Sequence, residues 1–185
     1  MTDTASPTAK PDEKSPSTFV RELHRLNRRA RDGDGTARAA LARLRRSLGT
    51  RDLDLSALRE VGAWLPDHLT DDALDAYLLT AALFALHQPP ASQTSSDRSS
   101  FGKTLRGLRA GLSAGAESLD RRVMALFNAD RDELPYRLRQ LMQMLKGTPH
   151  VPDWQEFLWH LLRWDDPTRS VQRRWARDYW TGASN

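Results

Sequence analysis

The chain has 185 residues, a formal net charge of +4, a sequence pI near 9.8 and no cysteine. Its length allows one domain or two small ones, and the missing cysteines exclude disulfides and thiolate metal sites, in keeping with a reducing cytoplasm. No apolar stretch approaches the roughly 18 residues of a membrane span, and the amino terminus lacks the apolar core of a secretory signal.

The charge is segregated. Residues 18–49 hold nine Arg against three acids, residues 50–90 two Arg against seven, and residues 91–146 ten basic groups against six. Two basic blocks flanking an acidic one suit a polyanion at the former and protein at the latter, while a solvated Arg-rich surface is the plainer reading.

Residues 1–17 are rich in Pro, Ser, Thr and charge and read as a disordered tail. An N-terminal helical bundle follows over 18–88. Its first helix runs from Thr18 to Arg31, with Phe19, Leu23, Leu26 and Ala30 on one face. Asp32-Gly33-Asp34-Gly35 breaks it, and an aspartate there can cap the second helix, Thr36 to Leu48, whose apolar face is Ala37, Leu41, Leu44 and Leu48. A third helix covers Ser56 to Leu65 and stops before Pro66. The fourth, capped by Thr70 with Asp71 and Asp72 in its first turn, reaches His87 and is apolar nearly all round from Tyr77 to Leu86. That pattern predicts the central helix of the bundle.

Residues 89–100, PPASQTSSDRSS from Pro89, form a polar connector. The C-terminal bundle, 101–182, opens with FGKTLRGLRAGL behind Ser100 as cap. Glycines at 102, 107 and 111 each cost a helix about 1 kcal/mol relative to Ala, which points to close approach of backbone to a neighbour or to phosphate. Two amphipathic helices come next. Leu119, Val123, Leu126 and Phe127 line the first, with Arg121 and Arg122 turned away. Leu134, Leu138, Leu141, Met142 and Leu145 line the second, with Pro135 tolerated in its first turn. Asp153 caps a helix from Trp154 to Arg163, and a last helix runs from Thr168 to Trp180, closed by Gly182, with residues 183–185 as a tail. No alternating pattern is long enough to build a sheet. The expected fold is all-α, two packed helical bundles of about eight to nine helices without a sheet.

Catalytic and metal-binding patterns are missing. The five histidines His24, His68, His87, His150 and His160 show no HExxH or other compact ligand spacing. No carboxylate pair stands with a histidine as acid–base work needs, and Gly102-Lys103-Thr104 has neither the first glycine nor the preceding strand of a phosphate-cradling loop. An enzyme, a metal site and a cofactor are therefore not expected.

One ordered series of segments remains: RLNRRARDGDGTARAALARLRR, FALHQ, SFGKTLRGL, ESLDRRVMALFNADRDEL, LRQLMQMLK, VPDW and VQRRWARDYW. From about Phe19 to Trp180 this order resembles the CasB family, the small subunit of the type I-E CRISPR Cascade surveillance complex. The resemblance implies a non-catalytic helical protein that pairs with a second copy, contacts other Cascade subunits, and steadies guide RNA, target DNA and the displaced strand of the R-loop. The basic positions it carries over are Arg38, Arg43, Lys103, Arg106, Arg121, Arg122, Arg131 and Arg139. Phosphate contact at each competes with internal ion pairing, since Arg121 and Arg122 neighbour Asp120 and Glu117, and Arg131 lies between Asp130 and Asp132. Arg173 and Arg174 stand below these, because WARDYW reads as a packed helix. The rival reading is a helical adaptor or regulator that binds protein and no nucleic acid.

Overall fold

The structure is a computed structural model that describes residues 14–48, 55–90 and 98–181. Most of the expected tail, the centre of the connector and Gly182 lie outside the described residues. Helices α1 (Pro16–Arg31), α2 (Gly35–Ser47), α3 (Leu55–Val61), α4 (Asp71–His87), α5 (Phe101–Ala110), α6 (Ala116–Phe127), α7 (Leu134–Leu145), α8 (Trp154–Leu162) and α9 (Ser170–Trp180) follow in chain order. Short 3₁₀ turns extend α3 through Gly62–Trp64 and precede α7 at Arg131–Glu133. The fold is all-α, as the helical periodicities predict.

Local chemistry sets the helix ends. Ser15 accepts from the Thr18 N–H and Pro16 opens the helix, so α1 starts ahead of the expected Thr18. Asp34, Thr70, Ser100 and Asp153 cap α2, α4, α5 and α8, each accepting a backbone N–H in the first turn. The last helix begins later than expected. Asp166 gathers the Thr168 N–H, the Thr168 hydroxyl and the Ser170 hydroxyl, holding a turn that delays α9 to Ser170.

Helix α4 organises the interior. Every residue from Ala76 to His87 is buried, and the helix packs against α2, α3, α7 and α8. Buried residues from both halves of the chain form one cluster. Its aromatic end joins Phe101, Phe157, Trp164 and Trp175, with Phe157 and Trp175 stacked at a centroid separation of 5.8 Å. One feature lies outside the helical expectation: Arg98–Ser99 (β1) pairs in parallel with Val151–Pro152 (β2). This two-residue ladder fixes the end of the connector beside α5, and the Asp153 N–H extends it by donating to the Ser99 carbonyl at 2.8 Å.

Candidate nucleic-acid interface

The eight predicted cations divide by what already occupies them. On α6, Leu119, Val123, Leu126 and Phe127 are buried, which turns Arg121 and Arg122 into solvent. Neither side chain makes a hydrogen bond or ion pair among the described residues. Asp120, expected to compete for them, is held elsewhere. It receives the Arg109 guanidinium in a two-pronged pair at 2.8 and 3.1 Å and the Tyr179 hydroxyl at 2.6 Å. The Arg109 hydrogen bonds pull the Asp120 carboxyl below its usual range, and burial with the adjoining carboxylate pushes the Tyr179 phenol up. This triad ties α5, α6 and α9 together and keeps Asp120 from pairing with Arg121 or Arg122.

Three further cations are partly engaged. Arg38 is exposed and donates through Nε to the Ala30 carbonyl at 3.0 Å. Exposed Arg139 donates to the Leu48 carbonyl at 3.3 Å, and Arg106 to the Thr181 carbonyl. Each bond uses one donor of a guanidinium that has five. Lys103 is exposed and makes no hydrogen bond or ion pair through its side chain among the described residues.

Arg43 and Arg131 are committed inside the protein. Arg43 grips Glu60 with Nε and a terminal nitrogen at 2.6 and 3.1 Å, joining α2 to α3. Arg131 ignores its sequence neighbours Asp130 and Asp132. It donates instead to the Asp165 carboxylate and to the carbonyls of Asp72 and Leu161, joining the start of α4 to the end of α8.

The predicted residues do not gather in one place. Arg38 shares a surface cleft with Arg31 and Arg45 between α1 and α2. Lys103 faces a different cleft, beside Arg173, Arg174 and Arg177 of α9. The aromatics of WARDYW predict that α9 is packed against the core. Val171, Gln172, Trp175 and Tyr179 are buried indeed, but Arg173, Arg174 and Arg177 share the opposite, exposed side. Their spacing at i, i+1 and i+4 carried that information. Among the described residues no group of His, Asp and Glu could hold a metal ion, and no helix is long and apolar enough to cross a membrane.

Residues 40–180 match the family model for CRISPR-associated protein Cse2. A curated CRISPR-associated protein Cse2 from Thermus thermophilus is 38% identical over 111 residues, a match that covers 60% of this chain and 59% of that protein's length. A crystal structure of a Cse2-family protein from the same organism superposes with a TM-score of 0.72 at 31% identity, covering 90% of this chain and 98% of that one. The crystal structure of M. ruber CasB gives 0.68 at 28% identity over 89% and 91% of the two chains. A chain of a CRISPR RNA-guided surveillance complex gives 0.67 at 26% identity over 89% and 90%. With a family model spanning α2 to α9 and a shared helical architecture, this chain belongs to the CRISPR-associated Cse2 family, also called CasB.

Proposed function

We propose that this chain is a non-catalytic subunit of a CRISPR RNA-guided surveillance complex, the small subunit of type I-E Cascade, and binds nucleic acid without reading its sequence. In the cytoplasm it assembles with the other Cascade subunits and with a second copy of itself. Its basic surface steadies guide RNA, target DNA and the displaced strand of the R-loop during antiviral DNA interference. The observation that carries this reading is the Arg121–Arg122 pair: two exposed guanidiniums without internal partners among the described residues, on a helix whose other face is fixed in the core. Guanidinium binds phosphate in a two-pronged geometry and keeps its charge at any physiological pH. An R-loop is a nearly balanced exchange of duplexes, so modest backbone contacts are enough to tip it. Likeness to chains of surveillance complexes supports the assignment of partners.

Arg38, Lys103, Arg106 and Arg139 supplement the pair, whereas Arg43 and Arg131 have internal roles. A gel-shift titration over a range of salt concentrations tests the reading. The logarithm of affinity for single strands should fall against log salt with a slope of about −0.7 per phosphate neutralised. Replacing Arg121 and Arg122 with Glu should weaken binding and flatten that slope while the circular dichroism stays helical. Absence of binding at low salt, or a slope near zero, would leave the protein-binding adaptor as the better reading.

A further inference from the structure

The cleft between the start of α5 and the exposed side of α9 belongs to neither the Arg121–Arg122 surface nor the α1–α2 basic cleft. Lys103, Arg173, Arg174 and Arg177 line it together with the acids Glu156 and Asp178. Both acids are occupied. Glu156 receives Arg174, and Asp178 receives the Ser100 hydroxyl. Lys103, Arg173 and Arg177 therefore face the cleft with side chains that make no hydrogen bond or ion pair among the described residues. Arg174 offsets Glu156, whereas the Ser100 hydroxyl is neutral and leaves Asp178 charged, so the lining holds four cations against two carboxylates and keeps a net positive charge that attracts a polyanion.

A second concavity adjoins this one, sharing Glu156 and Arg174, and Trp159 lines it. Trp159 is 49% exposed, although α8 buries its other aromatic residues, Trp154 and Phe157, to within 2% of complete exclusion. An apolar ring of that size left half in water has a large area available for contact. The cationic cleft thus borders, across the Arg174–Glu156 pair, a concavity in which a half-exposed ring of a size suited to stacking on a base stands with Asp153. That combination is the signature of single-strand binding, in which cations follow the backbone and aromatic rings stack on bases without reading them. A duplex keeps its base faces covered and offers Trp159 nothing to stack on.

We propose that this cleft is a single-stranded nucleic-acid site, with Lys103, Arg173 and Arg177 on successive phosphates and Trp159 stacking on an unpaired base. The proposal deepens the nucleic-acid reading of the chain and rests on it. Arg174 acts as a positioning residue, since its pair with Glu156 spans the boundary between the two concavities.

The test uses the full chain in fluorescence-anisotropy titrations with a labelled oligothymidylate and with its duplex on oligoadenylate. Trp159→Ala should weaken single-strand binding by about 5- to 150-fold, the range expected for one stacked base. The salt slope and the duplex affinity should stay unchanged, and Trp159→Phe should recover most of the loss. Replacing Lys103, Arg173 and Arg177 with Ala should reduce the single-strand salt slope by about 2, at roughly 0.7 per phosphate. Equal losses for both probes in Trp159→Ala would overturn the stacking role. Wild-type affinity in both variants, alongside weakened binding in an Arg121→Ala, Arg122→Ala control, would overturn this site and leave the broader nucleic-acid reading standing. Failure of the wild-type chain to bind either probe at low salt would overturn both, and a protein-docking role for Trp159 would then be the alternative.

Discussion

Gly102 sits where α5 presses on α9. A methyl group added there would run into the Trp175 carbonyl group, 3.0 Å from its carbon, and lie 2.8 Å from the Asp178 Cβ. Two effects oppose each other on replacing it with alanine. The helix gains about 1 kcal/mol in propensity, and overpacking costs about 1–3 kcal/mol or more where the obstacle is backbone that cannot rotate away. The clash dominates at Gly102. At Gly107 the obstacle is the half-buried His150 ring, at 2.6 Å, and a ring can turn. Gly102→Ala should therefore lower the urea midpoint distinctly, by the equivalent of about 1–2 kcal/mol, while Gly107→Ala should change it little. Equal effects of the two substitutions would contradict this account. The glycines of the fifth helix implied close approach to a neighbour or to phosphate, and both of these meet protein.

At the scale of elements, α8 depends on its cap and on the short ladder before it. Asp153 accepts from the Gln155 and Glu156 N–H groups at 2.9 and 3.0 Å, and its own N–H reaches Ser99 across the β1–β2 pair. Asp153→Ala should cost about 1 kcal/mol in chemical denaturation, and Asp153→Asn, which keeps the acceptor, a few tenths at most. A loss as large for Asn as for Ala would mean that charge, not capping, matters there. This cap, like those at Thr70 and Ser100, was legible in the sequence because capping is decided within three residues. The amphipathic seams were legible for the same reason, as Leu119 to Phe127 and Leu134 to Leu145 show. What distance in sequence conceals is long-range pairing. Nothing near Arg131 announces Asp165 or the carbonyls of Asp72 and Leu161, and nothing near Arg43 selects Glu60. The β1–β2 ladder is two residues long, too short to leave an alternating pattern. Arg173 and Arg177 were readable from helical spacing, but the surrounding aromatics drew the reading toward the core. Trp159 was not readable, since only packing decides which tryptophan of α8 stays outside.

Across the whole molecule, two buried histidines make stability depend on mild acid. His160 lies in the aromatic interior, where the Trp175 indole N–H donates to its Nδ1 at 2.8 Å. That bond requires Nδ1 to be unprotonated and places the ring proton on Nε2. Burial, reinforced by the positive charges of Arg174 and Arg163 and opposed by Asp178, lowers its pKa from 6.5 to about 4. Burial also lowers the pKa of His87, against the pull of the His150 carbonyl. Because the folded value lies below the unfolded one, the unfolded chain takes up the proton first as pH falls. The stabilisation is complete above about pH 6.5, declines through the interval and is lost by about pH 4, a change of roughly 3 kcal/mol for His160. Asp120, whose pKa is depressed by Arg109, loses its contribution only at lower pH, as its carboxylate protonates. Glu156, pushed up chiefly by burial, acts in the opposite sense and softens the acid side. His160→Gln keeps an acceptor available to Trp175 and removes the titration. Urea denaturation from neutrality to pH 4 should therefore show the wild type losing stability faster than the variant, with the gap between their slopes confined to that interval. Parallel curves would mean that His160 takes up its proton over the same pH range in the folded and unfolded chains, and that its bond to Trp175 does not control the acid response.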